Sequence, residues 1–364
     1  MTLMTRSMAM SSAMTDRVTA LKEFDDTKTG VKGLVDSGIT SIPVIFHHPN
    51  ISLSIPSTTY LSIPTVDLSL SRPIAVDLIR SACRNWGFFQ LINHDIPLST
   101  IENTISAVRS FHELPATIRS QHYRRTPGAG VSYFSNLDLF LSEAASWKDT
   151  LKITFGPVPP EVDQIPEVCR SELVAWDEQV KEVAKQVMGM MCEGLGVKPA
   201  RLEDLTCLEG RGLAGQYYPP CPEPDRTFGS AEHTDAVVLT VLIQDKIGGL
   251  QVKSLRDESW IDVKPIPGAL VVNVGDFLQI ISNDEFKSVQ HRVIANSTNE
   301  PRVSVAVFFN PGSKEDMNLY GPLYELISNE KPACYRNFNM SELVNIFLAK
   351  AVGCKSITEH FKHK

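Results

Sequence analysis

Apolar residues recur along the chain with two different periods, and the change from one to the other divides it. From Thr19 to Ile45 the pattern predicts a short helix, a Gly-punctuated loop and an extended segment ending at Pro43. Residues 47–62 are polar and rich in Pro and Ser, as in a surface linker. A strand is predicted at Ile63–Leu68. Val76, Ile79 and Cys83 keep helical spacing through a segment ending at Trp86, where Gly87 stops it, and Phe88–Ile92 reads as a buried strand. The middle of the chain reads as mainly helical. There Trp176–Leu195 places Val180, Val183, Val187, Met191 and Leu195 at steps of three or four, with Gly194 and Gly196 as the stop. So long a helix with one apolar stripe is expected to lie across the face of a sheet.

After Leu213 the texture changes. Short β-rich runs follow one another at Gly215–Tyr218, Val237–Ile243, Leu250–Val252, Trp260–Val263, Ala269–Val274, Val289–Ile294 and Val303–Phe309, separated by Pro, Gly, Asn and Asp. Many short strands at close spacing predict a sandwich or barrel. With helices preceding them, the expected fold is α+β: a jelly-roll core, a double-stranded β-helix, buttressed by helices and preceded by an α/β module. Ser341–Lys350 returns to a helical pattern. The expected divisions are an extension and linker over 1–62, a mainly helical module over 63–206, the jelly-roll core over 207–312, and a C-terminal segment and helix covering the site over 313–364.

Composition narrows the function classes. Hydrophobic residues make up 43% and charged residues 21% of 364, as in soluble globular proteins. A net charge of −7 argues against a nucleic-acid partner. No apolar run approaches the ~20 residues needed to span a bilayer, so no membrane association is expected. Seven Cys, an odd number without a C-x-x-C pair, fit a reducing compartment. Met1, Met4, Met8, Met10 and Met14, with Arg6 and no acidic residue before Asp16, read as an unstructured start rather than a transit peptide, with Met14 as a candidate initiator. The expectation is a cytoplasmic monomer acting on a small molecule.

The candidate chemistry lies in the β-rich block. His233 and Asp235 stand two apart, at what reads as the entrance to a strand, where i and i+2 share a face. His291 opens a second strand far along the sequence. Two imidazoles and one carboxylate on one side of a metal leave the opposite positions open, which is the facial triad of non-haem Fe(II) oxygenases. His-x-Asp alone is common by chance, and a lone His is more often a surface or core-edge residue. His47, His48, His360 and His363 sit in linker or tail and read as solvated, while His94, His112 and His122 have no matching carboxylate pair. What gives the triad force is Arg302-Val303-Ser304, eleven residues after His291. Arg302 and Ser304 again share a strand face, and a guanidinium pointing into a barrel requires an anion. A dicarboxylate bound to iron at one end would supply it at the other.

With these motifs in place, the sequence resembles the plant 2-oxoglutarate- and Fe(II)-dependent dioxygenases over almost its whole length. Ile63-Pro-Thr-Val-Asp67 and Trp86-Gly-Phe-Phe-Gln-Leu-Ile-Asn-His94 are similar to that family's N-terminal module. Tyr217-Tyr-Pro-Pro-Cys-Pro222, Gly248-Gly-Leu-Gln251 and Asn273-Val-Gly-Asp276 are similar to its core. Phe24–Asp36, Trp147-Lys-Asp149, Phe286–Arg292 and Tyr320-Gly-Pro322 carry a closer match to the branch of 1-aminocyclopropane-1-carboxylate oxidase homologues. The resemblance implies that His233, Asp235 and His291 ligate Fe(II), and that Arg302 and Ser304 hold the distal carboxylate of 2-oxoglutarate, with Tyr218 as a further donor. It implies O2 as oxidant, ascorbate as the reductant keeping iron ferrous, and succinate and CO2 as co-products of hydroxylation or desaturation. Asp235, where a small residue would open a halide site, favours these over halogenation. Candidate substrate-pocket residues are Phe308, Tyr133 and Phe338, each weighed against a plain core role. Gln216 stands where the family often has Asn, and Asp95 where it usually has Gly. The rival readings are an ascorbate-dependent, ethylene-forming oxidase without 2-oxoglutarate and a non-catalytic jelly-roll binder.

Overall fold

Alternation along one strand sets the architecture. In Arg302–Asn310 the odd positions Val303, Val305, Val307 and Phe309 are fully buried in the main apolar core, while Arg302 and Ser304 face the other way. The computed structural model describes residues 16–49, 51, 62–125, 130–312, 318–349 and 356–363. Its strands are β1 (Thr65–Asp67), β2 (Phe88–Ile92), β3 (Val131–Phe134), β4 (Asp149–Thr154), β5 (Gly210–Tyr218), β6 (Phe228–His233), β7 (Leu239–Gln244), β8 (Leu250–Lys253), β9 (Trp260–Asp262), β10 (Leu270–Val274), β11 (His291–Ile294) and β12 (Arg302–Asn310). They form an eight-stranded sheet in the order β1-β2-β10-β7-β12-β5-β4-β3 and a four-stranded sheet in the order β6-β11-β8-β9. β1 and β2 pair in parallel and every other pair is antiparallel.

One face of the large sheet carries helices; the other faces the small sheet and makes the barrel interior. Helix Leu98–His112 lies on β5 and β12, and the absence of a side chain at Gly215 admits Val108, whose methyl would stand 2.9 Å from a Cβ there. The long helix runs over Arg170–Leu195, six residues longer at its start than its apolar spacing suggested. It packs mainly on helices Arg72–Asn85 and Leu98–His112 rather than directly across the sheet. Gly196 ends it at φ 77°, whereas Gly194 lies inside it against Arg80. A single core runs from Val66 to Phe361, so strands of the N-terminal part and the jelly roll share one apolar interior. No helix among the described residues is long and apolar enough to cross a membrane.

Several local expectations change. The mainly helical middle contains β3 and β4, which extend the large sheet at its β5 edge. β6 was not visible in the pattern either. Gly30 does not lie in a loop: it opens helix Gly30–Asp36 at φ +71°, where a Cβ would fall 2.4 Å from Asp149 Oδ1. The backbone N–H groups of Val31 and Lys32 both donate to the Asp149 carboxylate at 2.8 Å. The Phe24–Asp36 and Trp147–Asp149 motifs are therefore two halves of one contact. Asp95 takes φ 64°, a conformation Asp tolerates. Helix Met340–Leu348 is capped by Asn339, whose side chain accepts from Glu342 N at 2.8 Å. The expectations for the Met-rich start, most of the 47–62 linker and Lys350 lie outside the described residues.

Candidate metal centre

His233 closes β6, and Asp235 sits in the turn that leaves it. The pair thus lies at a strand's exit rather than its entrance. His291 opens β11 and is the register partner of His233, with ring centroids 4.3 Å apart. Asp235 Oδ1 lies 3.7 Å from His233 Nε2 and 3.6 Å from His291 Nε2. The remaining atoms of each group are occupied. His233 Nδ1 is 2.8 Å from Ala231 O and His291 Nδ1 is 3.3 Å from Val289 O, which puts the protons on Nδ1 and turns both Nε2 lone pairs inward. Asp235 Oδ2 accepts from Thr240 Oγ1 at 2.6 Å and Asn273 Nδ2 at 2.8 Å, so Oδ1 is the free oxygen. Asp276 secures the turn, its N–H donating to Asp235 O at 2.7 Å and its carboxylate accepting from Thr234 at 3.0 Å.

Electrostatics favours a cation here. Enclosure in the barrel pushes His233 down to about 4, reinforced by the neighbouring His291. Burial alone would raise Asp235, but the two imidazoles and the Thr240 and Asn273 hydrogen bonds outweigh it and hold the carboxyl below its ordinary range. The cluster offers two imidazole Nε2 atoms and one carboxylate oxygen, the donor set of a facial iron site. Among the described residues no fourth His, Cys, Asp or Glu joins it. His233, with 27% of its side chain exposed, marks the open side.

On the same interior face, Arg302 pairs in register with Tyr218, and Ser304 pairs with Gln216 on one side and Gln244 on the other. Arg302 is 1% exposed. It donates to Gly248 O, to Ser304 Oγ at 3.0 Å and to Gln244 Oε1 at 3.0 Å, and its guanidinium lies 4.8 Å from the Tyr218 ring centre. All of these partners are neutral, and no ion pair to Arg302 forms among the described residues. A buried guanidinium in this state is a seat for an anion.

The sequence profile of the 2OG-Fe(II) oxygenase superfamily matches residues 211–311, and that of the N-terminal region of non-haem dioxygenases in morphine synthesis matches 63–170. 1-Aminocyclopropane-1-carboxylate oxidase homolog 3 of Arabidopsis thaliana is 43% identical over 360 residues, 95% of this chain and 97% of the relative. The chain belongs to the 2OG-Fe(II) oxygenase superfamily. Within it, the chain falls in the plant branch of the 1-aminocyclopropane-1-carboxylate oxidase homologues; homolog 1 of the same organism is 45% identical, with 93% and 94% of the two chains covered. The crystal structure of JOX2 in complex with 2OG, Fe and JA superimposes with a TM-score of 0.80 at 29% identity, covering 92% of this chain and 98% of that one. The rice dioxygenase for auxin oxidation does so with a TM-score of 0.69 at 26% identity, covering 82% and 98%.

The oxygenase fold sorts the remaining candidates by face. Phe308 pairs with Thr240, the residue that holds Asp235, so it looks toward the metal turn and is half-buried. Tyr133 does not reach the site. Its register row runs through Leu151 and Gly215 to Val305, on the helix side, and its hydroxyl donates to Thr29 O at 3.0 Å. The next residue, Phe134, shares the interior row of Thr150, Gln216 and Ser304. Phe338 packs with Phe277, Tyr320 and Phe361 in the C-terminal aromatic cluster and is not brought to the metal cluster. Gln216 accepts from Thr150 Oγ1 at 2.7 Å, so its amide oxygen is held toward β4. His47 and His48 are half-buried rather than solvated, His48 lying edge-on to Phe228. Sequence reasoning missed Thr240, Gln244 and Asn273. A polar residue inside an apolar strand run, as at Asn273, is the signal that marks them.

Proposed function

We propose that this oxygenase hydroxylates or desaturates a small specialised metabolite, with one 2-oxoglutarate converted to succinate and CO2 per turnover. The observation that carries the reading is the buried Arg302, whose hydrogen-bond partners are all neutral, on the interior face that also bears the support for Asp235. His233, Asp235 and His291 would hold Fe(II), which when bound supplies the O2 activation that couples 2-oxoglutarate oxidation to C–H oxidation. Arg302 and Ser304 would grip the distal carboxylate through paired donors, with Tyr218 backing the guanidinium. Thr240 and Asn273 keep Asp235 oriented and ionised. Phe88, Val271 and Val293 line the interior with apolar surface and exclude water. Phe308 would face the substrate. The JOX2 complex holds JA and the rice enzyme is named for auxin oxidation, which supports a small-molecule substrate. Ascorbate would serve to keep the iron ferrous. Six described cysteines are free, which supports a reducing, cytoplasmic setting.

Counting succinate against oxidised product, in enzyme fed a plant metabolite extract under labelled O2, tests the reaction. One succinate per labelled product is expected; turnover on ascorbate with no 2-oxoglutarate would instead identify the ethylene-forming type. Arg302→Lys should raise the 2-oxoglutarate dissociation constant about tenfold or more, because an ammonium cannot make the paired contact. An unaltered constant removes Arg302 from the co-substrate site.

A further inference from the structure

The residue that leads into β4 is a cation that the reaction above does not use. The β4–β5 register puts Thr150 beside Gln216 on the face of Ser304. Lys148, two residues earlier, continues that face to the level of Tyr218 and Arg302. Its ammonium reaches across to the small sheet and donates to Ser230 Oγ at 3.1 Å. Ser230 is buried, three residues before His233, and pairs with Val293 of the interior apolar cluster. The sheets close at this corner: Trp147 N donates to Phe228 O at 2.8 Å and Ala231 N to Ser146 Oγ at 3.4 Å. Lys148 lies near enough to His233 to help lower that imidazole's proton affinity.

Three facts about this lysine need a common explanation. It is half-buried, and no described carboxylate forms an ion pair with it. One hydroxyl engages one of its three N–H donors. A positive charge acting on the metal-binding imidazole of His233 also opposes the binding of a divalent cation, so the position is costly unless an anion arrives. Arg302 does not share it, since the hydrogen-bond partners of Arg302 are Gly248, Ser304 and Gln244 on the other side of Tyr218's strand. The interior therefore has two separate seats for negative charge.

We propose that Lys148 binds a carboxylate of the primary substrate and holds it beside the metal centre, which makes small organic acids the substrate class. The inference rests on the oxygenase reading, with Arg302 assigned to 2-oxoglutarate. The alternative role for Lys148 is a strap that ties β4 to β6 through Ser230.

Anaerobic, Fe(II)- and 2-oxoglutarate-loaded enzyme is titrated with matched acid and carboxamide pairs: phenylacetate and phenylacetamide, cinnamate and cinnamamide, octanoate and octanamide. At least one acid should bind about tenfold or more tightly than its amide, the scale of one charge-assisted contact. Lys148→Met should bring that acid to the level of its amide, and Lys148→Arg should restore the preference. The 2-oxoglutarate dissociation constant, measured in the same proteins, should stay within about twofold, since Arg302 retains its paired donors. The proposal is overturned if no pair shows an acid preference, if the preference survives Lys148→Met, or if that variant weakens 2-oxoglutarate instead. A lowered melting temperature with the preference intact identifies the strap alone. Failure of the oxygenase reading looks different, because then even the wild-type protein neither binds 2-oxoglutarate nor forms succinate.

Discussion

The two faces of the large sheet are made by alternate residues of the same strands and obey opposite rules. On the helix side of β12, Val303, Val305, Val307 and Phe309 are apolar and almost wholly buried. On the barrel side, Arg302 and Ser304 are as deeply buried yet polar. The helix face is closed by packing: Val108 fills the space left at Gly215, and His112 is held between Gly215 O at 3.2 Å and the Tyr217 ring. The barrel face is left incomplete. Asp235 Oδ1 and the Nε2 atoms of His233 and His291 converge on one point, and the guanidinium of Arg302 has only neutral hydrogen-bond partners. The difference teaches that stability and chemistry are divided by strand parity. A rigid apolar face lets buried polar groups on the opposite face stand ready without collapsing onto each other.

The sharpest way to break this comparison is Asp235→Ala on the barrel face. Iron affinity should fall about 100-fold or more, since loss of even a supporting partner costs about 10–100-fold. Iron titration reads this directly, and unchanged retention removes Asp235 from the ligand set. On the helix face, Val305→Ala should cost roughly 1.5–2.5 kcal/mol of folding free energy through lost burial and a small cavity. Chemical denaturation measures that loss, while iron and 2-oxoglutarate affinities should not move; a large change in either would show that the two faces are coupled.

A third test, confined to acid pH, concerns the histidine buried on the helix face. Burial pushes His112 down to about 3 from an ordinary 6.5; the hydrogen bond to Gly215 O opposes this and the Arg119 charge adds to it. Between those two values the unfolded chain binds the proton and the folded chain does not, so His112 makes stability fall as pH drops from 6.5 toward 3. His112→Gln should flatten the dependence in that window, read as denaturation midpoint against pH. Parallel curves for the two proteins would mean that His112 is protonated in the fold.

How far local spacing carries is visible at particular residues. His233, Asp235, His291 and the Arg302–Ser304 pair were legible because each depends on residue type and on parity within one strand, and the order of strands β7 to β12 was legible because turn residues separate apolar runs. β3 and β4 were not, since Val-Ser-Tyr-Phe and Asp-Thr-Leu-Lys-Ile-Thr are short and mixed, and only the pairing of β4 with β5 and of β3 with β4 makes them strands. The side of Tyr133 was likewise undecided by the chain. Its parity became meaningful only once register tied it to Val305 rather than Ser304. The same holds for Gly30 against Asp149, more than a hundred residues apart, and for Lys148 reaching Ser230 on the other sheet. Sequence by itself determined which chemical groups exist and which neighbours along a strand point together. Tertiary structure alone decided which strands adjoin and which face becomes the interior, because pairing and closure are set by contacts between distant segments, where no local period reports them.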